Sequence, residues 1–100
     1  MPDEKAKRPG QRVNIQVDEA TAQGLYSNLA LINHSENEFV IDFAFAPPGS
    51  PAAKVRARMI LTPRHAKRLL HALGQNVARY EQRFGAITVK VPAEGEPVVN

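Results

Sequence analysis

Residues 63–84 predict a single long α-helix, and the other elements have to be arranged around it. Apolar side chains recur there at spacings of three and four residues, which places them in one stripe on an α-helix. This helix stripe consists of Ala66, Leu69, Leu70, Leu73, Val77, Tyr80 and Phe84. Thr62 stands at the N-cap position, Pro63 at the first helical position and Gly85 just past the end. The sequence therefore fixes both ends of a helix about 33 Å long.

Four upstream segments alternate apolar and polar residues, as half-buried β-strands do. They cover residues 12–17, 25–33, 38–46 and 54–61. The connections between them are short or rich in proline, so an antiparallel meander is expected. The sequence predicts an α+β fold: a four-stranded antiparallel sheet with one long C-terminal helix packed on one face. Residues 86–91 alternate again and are a candidate for either a short extra edge strand or an extended arm.

A chain of 100 residues is expected to form one domain. Residues 1–11 and 92–100 are polar, contain proline and glycine and lack periodicity, so they predict a flexible arm and a flexible tail. The single α+β domain then covers residues 12–91. No apolar run approaches the roughly 20 residues of a membrane span, and the N-terminus lacks the apolar core of a signal peptide. We therefore expect a cytoplasmic protein with no membrane partner.

The predicted core combines the helix stripe with the odd-numbered strand positions. These are Val13, Ile15, Leu29, Leu31, Phe39, Ile41, Phe43, Val55 and Met59. Three of the four phenylalanines fall between residues 39 and 45 at alternate positions, so this strand should be central. Phe43 is expected to pack against Leu70 and Leu73.

The even-numbered strand positions should then face away from the helix, and they are unusually apolar. They comprise Tyr26, Asn28, Ala30, Ile32, Val40, Asp42, Ala44, Arg56, Arg58 and Ile60. Large exposed apolar patches mark interaction sites, so these residues predict an interface with further copies of the chain, in a dimer or tetramer. The alternative is a surface with a few scattered apolar residues, which is ordinary.

Charge is strongly segregated along the chain. Residues 13–53 contain five acidic residues and no Lys or Arg, whereas residues 54–83 contain eight basic residues and one acid. The helix side opposite the stripe and the N-terminal arm form a candidate polyanion site. Its residues are Lys5, Lys7, Arg8, Arg64, Lys67, Arg68 and Arg79, flanked by His71. No aromatic residue accompanies them for base stacking, so a solvated basic surface is the alternative.

Few residues are available for catalysis. The chain has no cysteine, which excludes disulfides, thiol catalysis and Cys-ligated metals. His65 and His71 are six residues apart and point in different directions on a helix, so they do not share a metal. His34 lies in a turn with Asn33, Ser35 and Asn37, for which turn hydrogen bonding is the simpler role. We expect no enzyme activity, no catalytic or metal-binding residues and no cofactor.

Seven short motifs between residues 13 and 85 resemble a family of bacterial and archaeal proteins designated DUF3467. They lie at residues 24–30 (GLYSNLA), 33–35 (NHS), 38–43 (EFVIDF), 53–55 (AKV), 60–63 (ILTP), 65–67 (HAK) and 80–85 (YEQRFG). The resemblance implies no particular activity. Strands followed by a long helix also resemble, in element order alone, the SecB-type export chaperones, which are dimers of dimers.

Two functions are therefore expected from the sequence. The first is a non-enzymatic, homo-oligomeric protein-interaction or adaptor module, SecB-like in assembly, with an unidentified protein partner. The alternative is nucleic-acid or polyanion binding through the basic helix side.

Overall fold

The computed structural model describes residues 4–8, 11–90, 94–95 and 97–99, and it confirms the α+β class. The strands are β1 (Glu4–Arg8), β2 (Gln11–Ile15), β3 (Leu29–His34), β4 (Phe39–Phe45), β5 (Lys54–Leu61) and β6 (Val98–Val99). The helices are α1 (Glu19–Ala22) and α2 (Pro63–Phe84). Helix α1 is capped by Asp18, whose Oδ1 accepts from the Thr21 amide at 2.8 Å.

The main sheet has four antiparallel strands in the order β5-β4-β3-β6. Three of them are predicted strands, but the fourth differs from the prediction. Strand β2 does not join this sheet; it pairs with β1 in a separate two-stranded sheet, with Arg8 opposite Gln11. Arg8 and Gln11 are only three positions apart along the chain, so β1 is a local partner for β2, and this pairing takes β2 away from the meander.

The structure differs from the sequence-based expectation at three places near the chain ends. Residues 4–8, expected in a flexible arm, form β1, which the sequence hides because EKAKR has no apolar alternation. Residues 86–90 of the proposed edge strand have no regular structure, and residue 91 lies outside the described residues. Within the predicted tail, Val98 and Val99 pair with Ala30 and Leu29 of β3. Residues 1–3 and 92–93 of the predicted ends also lie outside the described part.

The register between β3 and β4 reverses one of the predicted faces. His34 pairs with Phe39, and four residues separate them, so even-numbered residues of β3 pair with odd-numbered residues of β4. Because side chains alternate with a period of two, this parity decides which residues share a face. Ala30 and Ile32 therefore lie beside the phenylalanines, whereas Leu29 and Leu31, predicted to lie there, are on the opposite face.

A β-bulge changes the parity of strand β5 near its start. Phe43 pairs with Ala57, but Ala44 pairs with Val55, so Arg56 is the additional residue. A bulge of this kind shifts every residue beyond it to the other face. Val55 consequently lies on the face of Ala44 rather than on the face of Phe43, contrary to the prediction.

Helix α2 begins and ends where the sequence predicts. The Thr62 Oγ1 accepts a hydrogen bond from the His65 amide at 3.1 Å, Pro63 is the first helical residue, and Gly85 caps the end with φ of 103°. Its amide donates to the Glu81 carbonyl at 2.9 Å. A positive φ of this size suits glycine, which has no Cβ.

The predicted packing of the helix on its own sheet does not occur. Helix α2 has no buried residue and approaches the sheet mainly at β5, the strand directly before it. Leu70 is 65% exposed and Phe43 is 38% exposed, so their predicted contact does not form a core. The radius of gyration of 16.2 Å exceeds the roughly 13 Å of a typical 100-residue domain.

The short connection between strand β5 and helix α2 explains why the helix does not pack on its own sheet. Thr62 alone separates Leu61 from Pro63, and its backbone is extended, with φ −68° and ψ 155°. A residue before proline is restricted to this region, and connections that turn a helix back onto a sheet usually have about two to six residues. The helix therefore continues away from the end of β5 instead of reversing across the sheet.

The N-cap of helix α2 predicts a measurable contribution to the free energy of unfolding. Replacing Thr62 with Ala removes the acceptor for the His65 amide and should lower the free energy of unfolding by about 1 kcal/mol in urea denaturation. Thr88→Ala makes the same chemical change at an exposed residue outside the helices and strands. It should change the free energy of unfolding by less than about 0.5 kcal/mol. Equal effects of the two variants would contradict the role given to the Thr62 hydroxyl.

Candidate functional site

The most prominent surface of the chain is the exposed helix stripe. Leu70, Leu73 and Phe84 are 59–66% exposed, and Tyr80 is 51% exposed. Tyr80 and Phe84 contact each other with ring centroids 4.9 Å apart, and the Arg83 guanidinium lies 5.4 Å from the Phe84 ring centroid. Six large apolar side chains in one line exceed the scattered exposure that is normal for a monomer. The stripe is therefore a candidate contact surface.

The second apolar surface, the Phe face, is one side of the main sheet. It carries Ala30, Ile32, Phe39, Ile41, Phe43, Ala57 and Met59. Ile32 and Met59 are 55% and 50% exposed. At its edge the His34 ring stacks on the Phe39 ring with centroids 5.3 Å apart, so His34 acts in packing. Neither helix covers this side of the sheet, since α2 has no buried residue.

The opposite side, the Asp42 face, has a polar centre. It carries Leu29, Leu31, Asn33, Val40, Asp42, Ala44, Val55, Arg58 and Ile60. Among the residues whose exposure the structure describes, Ala44 and Asp42 alone are buried. The Arg58 Nε and Nη2 donate to the two oxygens of Asp42 at 2.7 and 2.9 Å. This bidentate ion pair joins the neighbouring strands β4 and β5.

The ion pair shifts the pKa values of both partners. The hydrogen bonds from Arg58, together with its positive charge, lower the pKa of Asp42 below its ordinary value of 3.8, against a smaller opposing effect of desolvation. The same contacts raise the pKa of Arg58. Both groups are therefore charged at neutral pH and neutralise each other within the sheet.

The ten residues predicted as one interface do not share one face. Ala30 and Ile32 lie on the Phe face, whereas Val40, Asp42, Ala44, Arg58 and Ile60 lie on the Asp42 face. The four-residue turn between β3 and β4 causes this split. Arg56 belongs to the bulge, and Tyr26 and Asn28 precede β3. Asp42 and Ala44 are buried within the chain, so they contribute to the fold and not to a contact surface.

Ser27 and Asn28 have a structural role that sequence reasoning missed. The Asn28 side chain donates to the Ala46 carbonyl at 3.0 Å and accepts from the Ala46 amide at 2.9 Å. The Ser27 hydroxyl lies 3.0 Å from the Ala44 carbonyl oxygen and 3.1 Å from that of Leu29. These contacts bind the segment before β3 to the end of β4. Tyr26 completes the junction by an edge-to-face contact with Phe45, with centroids 5.7 Å apart.

The predicted basic residues of helix α2 are all exposed. Arg64, Arg68 and Arg79 occupy the side opposite the stripe and Lys67 lies beside the stripe; none of the four forms a salt bridge within the described residues. Lys5, Lys7 and Arg8 were predicted in a flexible arm but lie in β1, where Lys5 is in register with Asn14 and Lys7 with Arg12. The basic residues therefore belong to two separate elements, a strand and a helix.

Within the described residues there is neither a metal-binding cluster nor a membrane-spanning helix. No group of three or more His, Asp or Glu residues in the described ranges is arranged to bind a metal ion. Neither helix in the described part of the chain combines the length and hydrophobicity needed to cross a lipid bilayer. The pockets along the chain are open surface grooves, of which one lies on helix α2 beside Lys67, Leu70 and Gly74.

These features define a small α+β protein with exposed apolar surfaces on a sheet and a helix. The model of the family "Protein of unknown function (DUF3467)" matches residues 1–89, and the chain belongs to this family. No curated protein and no solved structure matches the chain, so the SecB-type likeness in element order stays an expectation.

The Asp42–Arg58 pair predicts a pH dependence of stability. Because the pKa of Asp42 is lowered by folding, its stabilising contribution is present above 3.8 and is lost as the pH falls through the lower folded value. The free energy of unfolding, measured by urea denaturation from about pH 6 down to pH 2, should therefore decrease less for Asp42→Asn than for the wild type. Glu36→Gln removes a carboxylate from an exposed turn and is the matched control. The prediction is wrong if Asp42→Asn and the wild type have parallel profiles.

Proposed function

We propose that this protein is a non-enzymatic, homo-oligomeric protein-interaction module of the bacterial cytoplasm. One observation carries the proposal: within a single chain, neither the helix stripe nor the Phe face is covered. A domain of this length normally buries about two-thirds of the surface of its unfolded chain. Here the described residues contain one buried apolar side chain, that of Ala44. A second copy supplies the missing apolar contacts.

The exposed area is sufficient for a stable interface. Six large side chains of the helix stripe are exposed by 38% to 66%, and Ile32, Phe43 and Met59 of the Phe face by 38% to 55%. Together they offer an apolar area of the order of the roughly 800 Å² per partner that a standard stable interface buries. Burial of such an area is the main favourable contribution to association, from which the cost of lost translational and rotational freedom is subtracted.

The proposed interface lies on the helix stripe and the Phe face, whereas the sequence predicted it at the even-numbered sheet positions. Ile32 and Ala30 remain within it, because the register places them on the Phe face. Ile60, 58% exposed on the Asp42 face, belongs to a separate surface. Two separate surfaces permit a tetramer, which is the assembly that the SecB-like order of elements suggests.

The mass in solution tests the proposal directly. Multi-angle light scattering at micromolar concentration should give at least twice the 11.0 kDa of one chain. A mass of 11.0 kDa over the whole concentration range would overturn the proposal.

A substitution in the helix stripe should remove the assembly. Leu73→Glu places a charge on a residue that is 59% exposed in the single chain, so the chain itself can accommodate it. Its burial against another copy is unfavourable, because a buried unpaired charge is costly. We expect the mass to fall toward 11.0 kDa. Gln75→Glu adds the same charge on the opposite side of the helix and should leave the mass unchanged. Assembly of Leu73→Glu at wild-type affinity would contradict the stripe as the contact.

Polyanion binding is a second candidate function, which the unpaired basic residues of helix α2 favour. Because the helix stripe is directed toward another copy, Arg64, Arg68 and Arg79 on the other side remain accessible to phosphates. Such contacts release counterions, so the affinity for nucleic acid should fall steeply as salt is raised. The segregation of eight basic residues into positions 54–83 gives this region a positive field that attracts polyanions.

Duplex and single-stranded DNA in a gel-shift titration test this second function. The combined variant Arg64→Ala, Arg68→Ala and Arg79→Ala should weaken binding and reduce the slope of log affinity against log salt by about one per residue removed. A control variant, Lys54→Ala, Arg56→Ala and Lys90→Ala, loses the same net charge from other exposed positions. Equal weakening by both variants would show that net charge, and not the helix, is responsible. No gel shift at low salt would exclude this function.

A further inference from the structure

The helix stripe contains a coiled-coil pattern. From Ala66 its members follow at alternating spacings of four and three residues, through Leu70, Leu73, Val77, Tyr80 and Phe84. This alternation, over nearly three heptads, matches the positions through which one helix packs along another. We call these six residues the seam; Leu69 lies beside it. A helix that packs on a sheet needs only a broad apolar side and not this strict alternation.

We propose that helix α2 pairs in antiparallel orientation with helix α2 of a second copy, about a two-fold axis that crosses the seam midway between Leu73 and Val77. This inference rests on the proposed homo-oligomer and names its contact. Centred there, Leu73 meets Val77 of the second copy, Leu70 meets Tyr80, and Ala66 meets Phe84. The outer layer places the smallest seam residue against the bulkiest, as close packing of a core requires.

The charged residues beside the seam support the antiparallel orientation. Lys67 and Glu81 lie at equal distances on either side of Gly74, so each Lys67 faces Glu81 of the second copy, and the dimer contains this ion pair twice. Glu81 is the only acidic residue of the helix. In a parallel pair, Lys67 would face Thr62 and Glu81 would face Asn76, so no opposite charges would meet. Residues in these flanking positions set partner orientation in coiled coils.

Glu81 is already held in place for such a contact. Its Oε2 accepts a hydrogen bond from the Ile87 amide at 2.8 Å, and the residue is half-buried, unlike most of the helix. This bond restricts the side chain and leaves Oε1 for the ammonium group of Lys67 from the second copy. A side chain restrained before binding loses less conformational entropy when the ion pair forms.

Gly74 is explained by the same pairing. A glycine inside a helix lowers helix stability relative to alanine, and nothing in the single chain requires one here. Its backbone φ is not positive, and a Cβ added to it would meet no atom within 4 Å. In the antiparallel pair Gly74 lies beside the axis, opposite Gly74 of the second copy, where a missing Cβ lets the helices approach. The groove next to Leu70 follows from this missing side chain.

Asn76 lies on the other side of the seam, also at the axis. Its Nδ2 donates to the Ala72 carbonyl at 3.0 Å. In the antiparallel pair it faces Asn76 of the second copy. A polar residue at one position of a coiled coil fixes the register at some cost in stability.

A charge-reversal cycle tests the ion pair. Lys67→Glu and Glu81→Lys should each raise the dimer dissociation constant about tenfold, because each variant places like charges together twice. The combined variant Lys67→Glu/Glu81→Lys should restore most of the affinity. Arg68→Glu makes the same charge change away from the seam and is the control. Sedimentation velocity over a dilution series gives the constants, and circular dichroism checks the helix content.

Cross-linking tests the orientation independently, since the chain has no cysteine. Asn76→Cys places two thiols beside the axis, where a short bismaleimide should link them. Arg83→Cys lies on the same side of the seam, but its two copies are about 21 Å apart along an antiparallel pair. Only Asn76→Cys should therefore cross-link efficiently. A parallel pair would link both variants to a similar extent.

The outcomes separate this inference from the proposed function. Recovery of affinity in the combined variant with cross-linking at Asn76→Cys alone supports the antiparallel pair. A wild-type oligomer in which the combined variant stays weak, or both cysteine variants cross-link alike, overturns the helix pairing and leaves the homo-oligomer standing. A wild-type monomer overturns both.

Discussion

The single-residue connection at Thr62 determines how the rest of the chain is arranged. Its backbone is extended because Pro63 follows, and its hydroxyl caps the helix that begins at once. The strand and the helix are consequently joined without a loop, and the apolar side of the helix cannot return to its own sheet. The exposed helix stripe, the open Phe face and the large radius of gyration all follow from this local restriction.

The sequence predicted the elements with local signals and missed those that depend on pairing. Both ends of helix α2 and strands β3 to β5 carry caps or alternating apolar residues, so they could be located from the sequence. Strand β1 has no apolar alternation, and β6 is only two residues long. The faces were assigned wrongly because odd-numbered residues were assumed to share one side. The turn between His34 and Phe39 and the bulge at Arg56 change that parity, and neither leaves a signal within a single strand.

The sequence predicted which types of residue form the candidate site, but it placed the interface on the wrong surface. The basic side of helix α2 follows from helical periodicity, and the structure leaves those residues exposed as expected. The interface was assigned to the sheet because the helix stripe was assigned to the core. Once the stripe is exposed, it becomes the larger unpartnered surface. Ser27 and Asn28 interrupt a strand-like segment for a reason that only the backbone of Ala44 and Ala46 reveals.

The direct junction between β5 and α2 also has a mechanical consequence. A helix of about 33 Å that is fixed to a strand without a loop behaves as a lever arm. A rotation of about 10° at one end displaces the other by about 6 Å over that length. A small change in the tilt of the helix therefore moves the sheet by about the width of a side chain. In a chain with a longer linker, the same rotation would be absorbed before it reached β5.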